Sequence, residues 1–149
     1  MTTVTLSPVI LEPPSTGFVR DKRSEGWDLL QAGCQVEGES VLELAGFLLL
    51  GEEYVNGRVM RYRSLEMGGR TGQHHAERML VQVEAIPTEW REFYLAFPDT
   101  LWRRPGRCLF VPCLRWRDGR WVLNFRCVVR DARWNDDHRV VRVCKQPGS

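Results

Sequence analysis

Apolar and polar positions alternate with period two on both sides of Arg117-Asp118-Gly119-Arg120. An Asp-Gly step between two such runs predicts a β-hairpin with a two-residue turn. Arg117 then faces Arg120, and Trp116 faces Trp121. Successive side chains point to opposite sides of a strand, so the two faces can be read off. One carries Cys108, Phe110, Pro112, Leu114, Trp116, Trp121, Leu123, Phe125, Cys127 and Val129, without a charge. The other carries Arg107, Arg115, Arg117, Arg120, Arg126 and Arg130, interleaved with Leu109, Val111, Cys113, Val122, Asn124 and Val128. A three-residue loop would set Arg120 opposite Trp116 and mix the two sets. Burying each large side chain contributes roughly 1.5–3 kcal/mol, so burial selects the register that sorts them. Pro112 lacks an N–H, which predicts an edge or a bulge in strand 107–116.

Elsewhere the pattern predicts shorter elements. Pro8, Pro13 and Pro14 make residues 1–25 an extended N-terminal arm, ending in an exposed turn at Asp21–Gly26. Residues 26–149 form a single β-rich domain. Trp27–Gln31 is expected as a helical turn stopped by Gly33. Ser40-Val41-Leu42-Glu43 has the form of a capping box, with apolar residues following at helical spacing up to Gly51. That predicts a helix over 40–51, with a strand at Phe47–Leu50 competing. Asn56-Gly57 predicts a second hairpin between strands near 52–55 and 58–65. Met67–Gly72 reads as a loop, alternation over 79–86 as a strand, and Pro87-Thr88 as the start of a short helix carrying Trp90, Phe93, Tyr94 and Phe97. Residues 139–145 make a last strand. The sum is an α+β chain dominated by antiparallel strands: a curved sheet or small open barrel with one or two short helices.

Composition sharpens this. Apolar residues at 43% and charged residues at 27% suit a folded chain of 149 residues, not a disordered one. The net charge of +2 hides an asymmetry: residues 1–99 carry a net −6 and residues 100–149 a net +8. Such a dipole points to an anionic partner for the basic part, or to a match between the halves. The apolar block Leu44–Leu50 is about a third of a membrane span, and Met1–Pro8 lacks the basic and apolar regions of a signal peptide. Five cysteines without a tight framework argue against a secreted disulfide scaffold. A reducing cytoplasm is the expected compartment.

Candidate chemistry is sparse. His74-His75-Ala76-Glu77 and Asp136-Asp137-His138 supply imidazoles and carboxylates, but the two clusters are about sixty residues apart with no metal-ligand spacing. A hydrolase using His74, His75, Glu77 and His138 is the weakest reading. Zinc on Cys108, Cys113, Cys127 and Cys144 is disfavoured, because four, thirteen and sixteen residues separate them and no Cys-x-x-Cys occurs. Buried thiols are expected instead. No nucleophile motif or phosphate loop is present, so no catalytic residue, metal or cofactor is assigned. Trp102 and Trp134 are the tryptophans outside the hairpin that might stack on bases, although core positions suit them better. The leading expectation is a non-enzymatic binding protein. Arg107, Arg115, Arg117, Arg120, Arg126 and Arg130 would contact an anionic partner, DNA or RNA backbone without sequence readout. The alternative is a protein–protein or small-ligand module, homodimeric in one form, with the arginines solvated or matched to the acidic N-terminal part.

Overall fold

The computed structural model describes residues 3–6, 17–36, 39–106, 108–129 and 131–144. Ten strands and two α-helices follow one another: β1 (Thr3–Leu6), β2 (Asp28–Gln31), β3 (Ser40–Ala45), β4 (Tyr54–Asn56), α1 (Gly57–Glu66), α2 (Gln73–Val81), β5 (Tyr94–Ala96), β6 (Leu101–Arg103), β7 (Leu109–Arg117), β8 (Arg120–Cys127), β9 (Arg133–Asn135) and β10 (His138–Val143). Eight strands make one open sheet in the order β1-β3-β10-β5-β7-β6-β2, with β8 added to β7. β4 and β9 form a separate two-stranded ribbon. Every described pairing is antiparallel except β5 with β10. This is the α+β, strand-dominated architecture expected from the pattern, as an open sheet and not a closed barrel. Among the described residues, no helix is long and apolar enough to cross a membrane.

The sheet is buried on both sides. On one face Leu114, Trp121 and Leu123 pack with Leu42, Leu95 and Val141 against Ala76 and Met79 of α2 and against Trp90. On the other, Val111, Cys113 and Val128 pack with Met60 of α1, Val55 of β4 and Trp134 of β9. The β7–β8 ribbon therefore contributes to two cores, one for each parity of its residues. Trp102 and Trp134 are both fully buried, so neither is a base-stacking platform.

The hairpin register is the expected one, with Arg117 opposite Arg120, Trp116 opposite Trp121 and Pro112 opposite Phe125. Asp118 and Gly119 take φ of 52° and 79°, the two positive values of a type I′ turn. Pro112, however, marks neither an edge nor a bulge. β7 is flanked on both sides, and its register with β8 is unbroken. The interruption is in the neighbour. β5 pairs with Cys113 and Leu114, β6 with Leu109 and Phe110, and the two lie end to end along the same edge. Pro112 falls at the gap between them, where only its carbonyl is used, accepting from the Phe97 N–H at 3.0 Å.

Five local expectations are corrected. Of the stretch expected as a helix over 40–51, Ser40–Ala45 is β3, paired on both edges by β1 and β10, and 46–51 form neither a helix nor the competing strand at Phe47–Leu50; Glu43 bonds Arg142 across the sheet at 2.8 Å. Trp27–Gln31 gives β2, not a helical turn, because Asp28–Gln31 pairs with β6. Asn56-Gly57 starts α1 instead of turning a hairpin. The Asn56 side chain accepts from the Val59 N–H at 2.9 Å, an N-cap bond. Residues 79–81 finish α2 and residues 83–85 make a 3₁₀ turn, so no strand runs over 79–86. The helix opened by Pro87 is a 3₁₀ turn over Thr88–Glu92, and Tyr94–Ala96 is already β5.

Gly57 shows why the hairpin loses. A Cβ there would lie 2.3 Å from the Val128 Cα, a contact between backbones of α1 and the end of the ribbon. Neither backbone can yield like the tip of a side chain. Gly57→Ala is expected to destabilise the fold by about 1–3 kcal/mol, the usual range for overpacking. Gly46→Ala, where nothing lies within 4 Å, is the matched control. Thermal melts of the two variants, with the loss confined to position 57, check this.

Candidate anion-binding site

Type I′ geometry at Asp118-Gly119 fixes which side chains of the ribbon share a face. Arg115, Arg117, Arg120 and Arg126 lie on one face, opposite to that of Trp116, Trp121 and Leu123. Arg107 and Arg130 lie outside the described residues. The arginine face is free only in part. Its inner positions, Val111, Cys113 and Val128, are closed beneath the second core. Arg117 and Arg120 at the turn are exposed, and Arg115 and Arg126 are half-buried.

Arg115 and Arg126 converge on one ring. The Arg115 guanidinium sits 4.7 Å from the Tyr94 centroid, and Arg126 lies 5.4 Å from both Tyr94 and Trp134. Tyr94 opens β5 and in turn stacks on His138 at 5.0 Å. These arginines line a cavity of about 380 Å3 together with Arg20, Lys22, Trp27, Tyr94, Arg104, Phe110, Cys113, Asn124 and Phe125. The lining draws on both faces of the ribbon, and β8 is paired on β7 alone, so the cavity follows the open edge of β8.

Three of the cations were not visible as site residues in the sequence. Arg20 and Lys22 belong to the segment expected as the end of an extended arm, lying on the body or loose in solvent, and an exposed turn. That segment is pinned. The Glu77 carboxylate accepts from the Val19 and Arg20 N–H groups, each at 2.8 Å. The Gln73 side-chain amide donates to the Arg20 carbonyl at 2.6 Å, and its oxygen accepts from the Trp102 indole at 2.8 Å. Arg20 Nη1 then donates to the Leu123 carbonyl on the outer edge of β8 at 2.6 Å. Lys22 follows in a 3₁₀ turn capped by Asp21 and closed by Gly26 in the left-handed region. It is buried, not exposed, with its ammonium 4.4 Å from the Trp27 ring. Arg104 follows β6 and lies over Phe110 at 5.2 Å. No periodicity reaches these positions, so only charge signalled them.

The electrostatics of the cavity are one-sided. Its lining holds five cations and no carboxylate. Lys22 is paired with Glu25 at 2.7 Å. Among the described residues, Arg20, Arg104, Arg115 and Arg126 have no carboxylate at ion-pair distance. Among the described residues no carboxylate of the acidic N-terminal part pairs with the ribbon arginines either, and Arg117 approaches its neighbour Asp118 at 3.7 Å. Each cation rests on an aromatic ring, an attraction worth roughly 0.5–1 kcal/mol at exposed sites. That orients the guanidinium groups without cancelling their charge.

The histidines form no common site. His74 packs on Phe18 at 4.5 Å and Glu77 clamps the backbone of 19–20. His75 Nδ1 accepts from the Gly72 N–H at 3.1 Å. His138 lies between Tyr94 and Trp134, and the charges that act on it are Arg126, Asp137 and Arg139. No group of three or more His, Cys, Asp or Glu among the described residues is placed to hold a metal. All five cysteines are free, and of them only Cys113 is fully buried. Burial pushes its thiol up to about 12, so the one sulfur of the cavity is not a thiolate at neutral pH.

Burial drives His75 and His138 down to about 4, with His74 adding to the effect on the first and Arg126 on the second. Both are neutral in the folded chain at pH 6.5 but would bind protons once unfolded. Their stabilisation is therefore complete above about pH 6.5 and is lost as pH falls towards 4. At about 1.4 kcal/mol per pKa unit each contributes on the order of 3 kcal/mol. The urea midpoint is expected to drop steeply between pH 6.5 and 4.5, and a flat profile there would contradict these burials.

No protein-family model matches this sequence, and no curated protein or solved structure matches the chain.

Proposed function

We propose that this chain binds the sugar–phosphate backbone of single-stranded nucleic acid and does so without reading bases. One observation carries the reading: four arginines line one cavity with no carboxylate among the described residues to neutralise them. Like charges gathered this way repel, and an anion relieves the repulsion while the guanidinium groups donate in pairs to its oxygens. Arg115 and Arg126 are shared between the cavity and the ribbon face. From Arg126 the face leads past Arg115 to Arg120 and Arg117, a path of roughly 20 Å at about 3.4 Å per residue. That is a track for a linear polyanion. A cavity of about 380 Å3 is of nucleotide size, which suits part of a single strand better than a duplex.

The aromatic rings argue for charge and against base stacking. Trp27, Tyr94, Phe110 and Phe125 each already carry a cation on or near a face. They support the cationic groups instead of offering free platforms. Phosphate contacts position a ligand and carry no sequence information.

Fluorescence anisotropy with labelled single strands tests the reading. At low ionic strength, strands of equal length and different base composition are expected to bind within about threefold of one another, as backbone recognition requires. A duplex of that length should bind more weakly. Absence of binding by any single strand at low salt rejects the proposal.

A further inference from the structure

We infer that the cavity takes the terminal phosphate group of its ligand, a phosphomonoester or polyphosphate end, in preference to the diester backbone. This rests on the anion-binding reading above and adds where along the ligand the charge must lie. The first ground is charge density. A diester linkage brings one negative charge, whereas a terminal phosphate brings about 1.5–2 at neutral pH and three acceptor oxygens. The cavity has about 380 Å3 for its ligand and five cations around it, of which only Lys22 has a carboxylate partner among the described residues. A strand passing through that volume would leave most of the four unpaired arginines without an anion. A terminal phosphate or polyphosphate would match them.

The second ground is the shape of the track. Arg117, Arg120 and Arg115 lead along the exposed half of the ribbon towards Arg126. Beyond Arg126 the same face continues as Val128, which is 3% exposed and closed under Trp134 and Met60. A strand entering from the hairpin turn is stopped on that face beyond Arg126, and its end turns round the edge of β8 into the cavity, towards Arg20 and Arg104. The third ground is the donor set at that point. Arg20 spends Nη1 on the Leu123 carbonyl, whereas the guanidinium groups of Arg104, Arg115 and Arg126 make no hydrogen bond among the described residues and can turn their N–H groups to oxygen acceptors. Three such forks lining one cavity suit a group with three oxygens better than a diester with two.

The test is a comparison of ends. A fluorescently labelled single-stranded 12-mer is titrated with a hydroxyl, a 5′-phosphate or a 3′-phosphate at its unlabelled terminus, and inorganic tripolyphosphate is titrated alone by calorimetry. The phosphorylated strands are expected to bind about tenfold tighter than the hydroxyl strand, which is what one further charge-assisted hydrogen bond supplies. Tripolyphosphate is expected to bind and to displace the phosphorylated strand. Arg104→Gln, an exposed position outside the sheet, should erase the preference for the phosphorylated end while the hydroxyl strand still binds through Arg115, Arg117 and Arg120. Equal affinity of all three strands overturns the inference and leaves backbone binding intact. Binding of tripolyphosphate with no strand binding keeps the phosphate-end chemistry, assigns it to a free polyphosphate, and overturns the nucleic-acid reading. Binding of neither overturns both.

Discussion

Trp102→Ala is expected to cost about 3–5 kcal/mol of stability, the range for removing a large buried aromatic side chain. Trp102 is fully buried on β6, with Phe18 at 5.9 Å and Phe125 at 6.5 Å between ring centroids. Its indole N–H is the donor for the Gln73 oxygen, so the substitution also leaves a buried acceptor unpaired, a further cost of about 1–3 kcal/mol. The damage should spread in a particular direction. Gln73 and Glu77 together hold the backbone at Val19 and Arg20, so the segment supplying Arg20 and Lys22 loosens with it. Trp102→Phe, which restores most of the volume but not the donor, should recover stability in part and binding less. Urea denaturation at pH 7.5 checks the first effect; a loss below about 1 kcal/mol for the alanine variant would be too small for a packed core tryptophan.

The second large effect is on binding. Arg115→Glu combined with Arg126→Glu is expected to weaken single-strand binding by at least about a hundredfold. Each charge-assisted contact is worth about 1.5–3 kcal/mol, and a carboxylate adds repulsion where attraction stood. The fold should largely persist. Among the described residues neither guanidinium bonds a carboxylate or a backbone group, and what each loses is contact with Tyr94 or Trp134. A circular dichroism melt within a few degrees of the parent, alongside lost anisotropy change, is the expected pair of results. Unaltered affinity would place the ligand elsewhere.

The parts of the fold legible in the sequence are those where local chemistry and burial agree. At Asp118-Gly119 the turn residues accept positive φ, and the resulting register buries Trp121 and Leu123 together. Asn56-Gly57 carries the same local signal, and there the distant contact of Gly57 with Val128 decides. Asn is as good an N-cap as a turn residue, so the dipeptide alone is ambiguous. α2 escaped for a different reason. Gln73, His74, His75 and Glu77 are all buried in it beside Ala76 and Met79, so polar residues share its inward side and blur the amphipathic pattern. β3 looked helical because Ser40 and Glu43 imitate a capping box, yet Glu43 serves Arg142 on β10.

The candidate site divides along the same line. Arg115, Arg117, Arg120 and Arg126 could be grouped from strand parity alone. Arg20, Lys22 and Arg104 lie outside the strands: Arg20 is placed by hydrogen bonds to Glu77 and Leu123, more than fifty positions away, whereas Lys22 sits in a 3₁₀ turn and the Arg104 N–H bonds the nearby Cys108 carbonyl. Parity also made the arginine face look continuous. The second core that covers Val111, Cys113 and Val128 is assembled from α1, β4 and β9, none of which the pattern placed there.

The salt dependence of single-strand affinity bears most directly on the claim that unpaired arginines bind phosphates. For four phosphate contacts the slope of log affinity against log salt concentration is expected near −3, at about −0.7 per contact for single strands. Arg115→Ala should bring it about 0.7 closer to zero while weakening all strands alike. A slope near zero, or one that the substitution leaves unchanged, would contradict the proposed site.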